Sequence, residues 1–211
     1  MHNIQKGRVD YLLDVWDAPA RRCQPELVKP HLAREHIAPT VDQQADLCPT
    51  FPPEIVFIDS FSELTDQTFR HKVGGWTFCC NYLDLAHTEA FSDEFESLGP
   101  MDLSALDAAY DEMLKRIATR WPGVPVVYLH FPDALETREK FQQRARHIRD
   151  VVQSCEQRHD HLFAFSVPST VVQRPEVLEP GLEDFPYHYN QATYDTFAEM
   201  IGNHPRLRRY F

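Results

Sequence analysis

The sequence predicts an α/β fold with three layers, a mostly parallel sheet carrying helices on both faces. Two observations predict it. Three short apolar runs of strand length, around residues 55–58, 124–130 and 162–167, are separated by stretches whose apolar residues recur at three- and four-residue steps. Strands that are apolar throughout, alternating with amphipathic helices, are the pattern of a parallel sheet buried on both sides. With 211 residues, 43% hydrophobic and 12% aromatic, the chain can bury one full core, so residues 1–211 are expected as a single domain.

The first fifty residues read as an irregular region packed on or beside that domain, because Pro19, Pro25, Pro30, Pro39 and Pro49 break up its apolar clusters. Within it, residues 11–15 (Tyr11-Leu12-Leu13-Asp14-Val15) suggest a strand, and residues 25–35 a short helix. Ile55-Val56-Phe57-Ile58 reads as a buried strand ending at Asp59-Ser60. A helix is expected over 102–121, where Leu103, Leu106, Tyr110, Met113, Leu114 and Ile117 form one stripe and Asp102 can cap the start. Pro122-Gly123 ends it, and a second strand follows to His130. The next helix sets Phe141, Ala145, Ile148, Val152 and Cys155 on one stripe, with Arg138, Arg144, Arg146 and Arg149 read as a solvated face. Leu162-Phe163-Ala164-Phe165-Ser166-Val167 is the third strand.

Charge and composition exclude several functions. A formal net charge of -11 argues against a phosphate-backbone binder, so no nucleic-acid partner is expected. Seven glycines form no phosphate-cradling loop, and no cofactor is expected. No apolar run is long enough for a membrane span and the first residues lack a signal-peptide core, which predicts a cytoplasmic protein. Five cysteines, Cys23, Cys48, Cys79, Cys80 and Cys155, are an odd count for a disulfide framework and read as reduced thiols. In Phe78-Cys79-Cys80-Asn81 the two thiols would face opposite ways if the segment is extended.

In open α/β sheets ligands bind beyond the carboxyl ends of the strands. That rule gathers Asp59, Ser60 and Glu63 after the first strand, His130 at the end of the second, and Asp184 with His188 after the third. An Asp and a His close together in the proline-stiffened Asp184-Phe185-Pro186-Tyr187-His188-Tyr189 loop suit the orienter and base of an acyl-transfer site. Asp59 and Glu63, four apart, suit paired carboxylates or a helix start.

These blocks resemble the SGNH/GDSL-like hydrolase superfamily over roughly residues 50–201, and more closely a branch of it associated with surface-polysaccharide gene clusters. The resemblance is carried by Pro53-Glu54-Ile55-Val56-Phe57-Ile58-Asp59 leading into Ser60-Phe61-Ser62-Glu63-Leu64, by Val126-Val127-Tyr128-Leu129-His130, by the arginine-bearing helix, and by Pro186-Tyr187-His188-Tyr189 with Tyr194 and Phe197. It implies a Ser-His-Asp triad whose acid and base lie in the last block. Asp184 and His188 are one residue further apart than that pattern, and neither Gly-Asp-Ser nor Gly-Ser-Cys is present. Either the nucleophile strand is missing or Ile58-Asp59-Ser60 takes its place.

The resemblance therefore implies a serine-type esterase or O-acyltransferase acting on a hydroxylated substrate such as a carbohydrate. Ser60 would be the nucleophile, Asp184 the orienter and His188 the base, with Asp59, Glu63, His130 and Tyr187 contacting substrate. A catalytically inactive hydrolase-like binding or partner subunit is the alternative, leaving room for a protein partner or a homo-oligomer. A metal-dependent enzyme using His130, His159, His161 and His188 with Asp59 or Asp184 is the third reading, although no metal site is assigned.

Overall fold

The computed structural model describes residues 5–16, 18–46, 52–177 and 186–211. In chain order the elements are α1 (Val9–Trp16), α2 (Pro25–Val28), α3 (Ala38–Gln43), β1 (Val56–Asp59), α4 (Phe61–Thr65), β2 (Asp66–His71), β3 (Thr77–Asn81), α5 (Glu89–Glu94), β4 (Phe95–Gly99), α6 (Leu106–Arg120), β5 (Val126–Leu129), α7 (Glu139–Arg158), β6 (Leu162–Phe165) and α8 (Gln191–Gly202). Two compact units are distinguished: Met1–Pro52 with Phe61–Met113, and Pro53–Ser60 with Leu114–Phe211. The α/β class holds, but the sheet is not one mostly parallel layer. Three strands form a parallel sheet in the second unit and three an antiparallel sheet in the first. Among the described residues no helix is long and apolar enough to cross a membrane.

In the second unit β5 lies between β1 and β6, with Val126 paired to Val56 on one side and Leu162 on the other. Being central, β5 spends its backbone groups in two ladders, which suits its run of apolar residues. Val127, Phe163 and Phe165 pack with Ile201 and Leu207, and Phe197 and Met200 of α8 lie against them. Helix α7 runs along β6, and Ala145, Ile148, Val152 and Cys155 are buried as their spacing predicts. The arginine face is not uniformly solvated: Arg146 is exposed, but Arg144 is buried and Arg149 is held 3.1 Å from Asp133.

The expected buried strand at 55–58 is instead an edge. Among the described residues β1 pairs only with β5, Val56 and Ile58 are half-buried, and Phe57 is 47% exposed, its ring edge-on to Phe211. An apolar run alone does not distinguish a central strand from an edge one. For the helix expected over 102–121, Asp102 accepts a hydrogen bond from Ser104 N at 2.9 Å, a 3-10 turn leads into α6, and Leu106, Tyr110, Met113, Leu114 and Ile117 are buried.

The first unit departs further from expectation. Residues 11–15 are not a strand but part of α1, and the helix predicted over 25–35 shortens to α2 followed by a 3-10 turn. The cause of the first change is distant in sequence. The carboxylate of Glu63 accepts from Val9 N at 2.9 Å, satisfying a donor that a helix start leaves open. Arg8, just before α1, donates to the carbonyls of Asp66 and Gly99 and to the carboxylate of Asp10. Among the described residues, Arg8 and the start of α1 are thus tied to this unit's sheet and to α4.

The antiparallel sheet was not expected. Its strands alternate: Phe69, Phe78 and Phe95 join Trp76 and Cys80 in an apolar core, while Thr68 and Thr77 belong to the other face. The turn between β2 and β3 uses Gly75 at φ 68. Cys79 and Cys80 do face opposite ways, one packing with Tyr11 and Val15, the other in the aromatic core. Burial pushes the Cys80 thiol up to about 12 and Cys23 and Cys79 upward as well, so these are inert apolar cysteines.

Strand β3 is an edge, and one side chain finishes it. Gln44, fully buried, accepts from Cys79 N at 2.8 Å and donates to Cys79 O at 2.7 Å, replacing the strand that would otherwise pair there. Gln44→Ala orphans both buried backbone groups and is expected to cost about 2–4 kcal/mol. Urea unfolding checks this, and a loss below about 0.5 kcal/mol would mean that water replaces the amide.

Candidate functional site

The carboxyl ends of the parallel strands, all in the second unit, hold most of the expected site. β1 ends at Asp59, which is exposed, and the next residue, Ser60, is buried at 3% exposure. Ser60 N donates to Leu129 O at 3.2 Å and His130 N to Phe165 O at 2.9 Å, so both residues prolong the ladders by one step. Beyond them the chain leaves the sheet as Phe131-Pro132-Asp133, and its backbone needs new partners. Ser60 supplies the first: its Oγ accepts from Phe131 N at 2.9 Å.

The loop that carries His188 is pinned to the same segment. Tyr189 donates its hydroxyl to Pro132 O at 2.7 Å, and Tyr187 donates to Glu136 at 2.8 Å. Both tyrosines are buried and pack their rings against Phe131. His188, between the two buried tyrosines, is exposed. Asn190 then caps α8, its side chain accepting from Thr193 N at 3.0 Å. Tyr187 was expected to touch substrate; its hydroxyl is instead committed to Glu136, and burial with the nearby carboxylate raises its pKa.

Glu136, Arg149, Asp133 and Tyr189 were not singled out by sequence reasoning. Glu136 accepts from Arg138 through both its backbone N–H and its guanidinium, and from Tyr187. Burial alone would raise its pKa, but these donors outweigh it and hold it near about 2. Arg149 reaches Asp133, and its Nε is buried without a partner among the described residues. His130 is pushed down to about 4, first by burial and then by the Arg149 charge, with Asp133 only partly offsetting them. It is a neutral imidazole at neutral pH. The notch that His130 shares with Asp133, Arg149, Ser166 and Ser169 measures about 30 Å³, room for roughly one water-sized group.

Asp184 is outside the described residues. Glu63 belongs to the first unit, is 2% exposed and caps α1, its carboxylate accepting from Val9 N. His159 and His161 meet edge to face at 5.6 Å, but among the described residues no three His, Cys, Asp or Glu side chains are grouped to hold a metal ion. Comparison with protein-family models, with curated proteins and with solved structures finds no match.

Two acid-sensitive groups follow from this edge. His130 has a folded pKa of about 4 against 6.5 for the free side chain, so the unfolded chain takes up the proton first and stability falls as pH drops from 6.5 toward 4. Glu136, at about 2 against 4.5, adds a second loss as pH drops from 4.5 toward 2. His130→Phe is expected to flatten the upper window, worth up to about 3 kcal/mol, while leaving the lower one. Urea midpoints across pH 3–7 check this, together with an NMR titration of the imidazole; a measured His130 pKa above about 6 would contradict it.

Proposed function

We propose that this chain is a hydrolase-like α/β protein, of the SGNH type that its strand ends and terminal histidine block resemble, acting as a binding or partner subunit without serine-based catalysis. One observation carries this reading. A nucleophilic serine has to present its oxygen to a carbonyl carbon with a base beside it, whereas Ser60 is a buried residue, 3% exposed, whose oxygen accepts the Phe131 amide. The small notch beyond His130 points the same way, since it is far below the volume of a typical substrate pocket.

A serine-type esterase or O-acyltransferase is the second reading, favoured by His188. Its exposed imidazole lies on a backbone anchored on both sides by Tyr187 and Tyr189, the rigidity that a general base needs. In that reading His188 takes the proton of a substrate hydroxyl or of a serine, and Asp184 orients the ring.

Hydrolysis of a short acyl ester such as p-nitrophenyl acetate separates the two. Under the binding reading, Ser60→Ala leaves the turnover within about twofold of the parent and lowers stability by about 1–2 kcal/mol through the orphaned Phe131 N–H. Loss of turnover by about a hundredfold or more in both Ser60→Ala and His188→Ala, with folding intact, would establish the serine enzyme instead.

A further inference from the structure

The first unit contains a cavity that the sheet-edge reading does not use. It lies between α1 and the face of the antiparallel sheet opposite the aromatic core, and measures about 620 Å³, well within the range of small-molecule sites. Its lining includes Arg8, Asp10 and Asp14 from α1 and its approach, Thr68 and Arg70 from β2, and Thr77 from β3. Leu98, Met101 and Tyr11 give it apolar patches.

Its polar wall is charged in both signs and already balanced. Arg8, 2% exposed, is fixed by Asp10 and by the carbonyls of Asp66 and Gly99 at 3.2 and 2.8 Å. Arg21 pairs with Asp14, and Arg70 with Glu96. An anion entering here would gain an arginine and meet the carboxylates of Asp10, Asp14 and Asp102; a cation would meet three guanidinium groups. Neither sign finds a net attraction. Neutral hydroxyl groups suit both, since each can accept from a guanidinium N–H and donate to a carboxylate oxygen.

Two further features favour such a ligand. Thr68 is 6% exposed, lines the cavity, and its hydroxyl has no hydrogen-bond partner among the described residues. A buried hydroxyl without a partner is costly, and rotation about χ1 would turn it to a ligand oxygen. Leu98, 43% exposed at the end of β4, sets an apolar side chain beside these charges, as a ring with C–H faces and O–H edges would require.

We infer that the first unit binds a neutral polyhydroxylated molecule, of the size of one or two sugar rings, between α1 and the Thr68–Thr77 face of its antiparallel sheet. The site is independent of Ser60 and His188 and stands whichever reading of the sheet edge is correct. Titration of the full chain with maltose, cellobiose and chitobiose, followed by amide shifts in 15N NMR, tests it. At least one sugar is expected to give saturable shifts at Gly75, Thr77 and Leu98, with Kd of about 1 mM or tighter. Arg70→Ala removes an exposed wall donor, and Leu98→Trp fills the mouth from a part-exposed position. Each is expected to weaken binding at least about tenfold with an unchanged unfolding midpoint. Absence of saturable shifts at these amides with all three sugars overturns the inference, as does saturation by sodium phosphate or by glycine but by no sugar.

Discussion

The second unit depends on how the chain leaves its central strand. β5 is paired on both sides and buried, so the residues immediately after it emerge from a fully hydrogen-bonded environment with unpaired amides and carbonyls. Ser60 takes the Phe131 amide, Tyr189 takes the Pro132 carbonyl, Arg149 takes Asp133, and Arg138 with Tyr187 take Glu136. The five partners come from four parts of the unit: the end of β1, the segment before α8 that carries both tyrosines, helix α7, and the turn before it. The exit from β5 therefore gathers the whole carboxyl edge of the sheet, and it does so with the residues that would otherwise be available for chemistry.

This explains the division of labour at the edge. Side chains that look catalytic by type, Ser60, His130 and Glu136, are buried; Ser60 and Glu136 are committed to hydrogen bonds that hold the loop, Glu136 as a carboxylate with several donors, and His130 is a neutral ring. Asp59 and His188 are the exposed candidates, and the clamp that holds His188 is made of tyrosines that cannot turn away without abandoning buried hydrogen bonds. An edge so arranged is rigid and nearly filled, whereas the larger polar cavity lies in the other unit, against a sheet with one apolar and one polar face.

What the sequence made legible follows from the range of the interactions involved. α6, α7, β5 and β6 were readable because their apolar period is local and strong, and Asp102 and Asn190 announce helix starts by type. Leu12 and Leu13 were misread as strand because a short, largely apolar run fits either state; the helix start is fixed at Val9 by Glu63, 54 positions from it. β2 to β4 escaped because half of their residues are polar or charged, although Gly74-Gly75 between two alternating stretches is a hairpin signal. The convergence of Ser60, His130 and the His188 loop near one loop was legible from the strand-end rule. Their burial was not, because it depends on Phe131, Tyr187 and Tyr189 meeting across long stretches of chain, and no spacing in the sequence encodes that.

The central claim is that Ser60 serves the fold rather than a reaction. A fluorophosphonate, which phosphonylates the oxygen of an activated serine with loss of fluoride, followed by peptide mass spectrometry, tests it most directly. The account predicts that the Ser60 peptide stays unmodified in the folded chain, while the Phe131 amide exchanges slowly with deuterium and speeds up in Ser60→Ala. A stoichiometric adduct on Ser60 that is lost in His188→Ala would contradict it and make the sheet edge an active site.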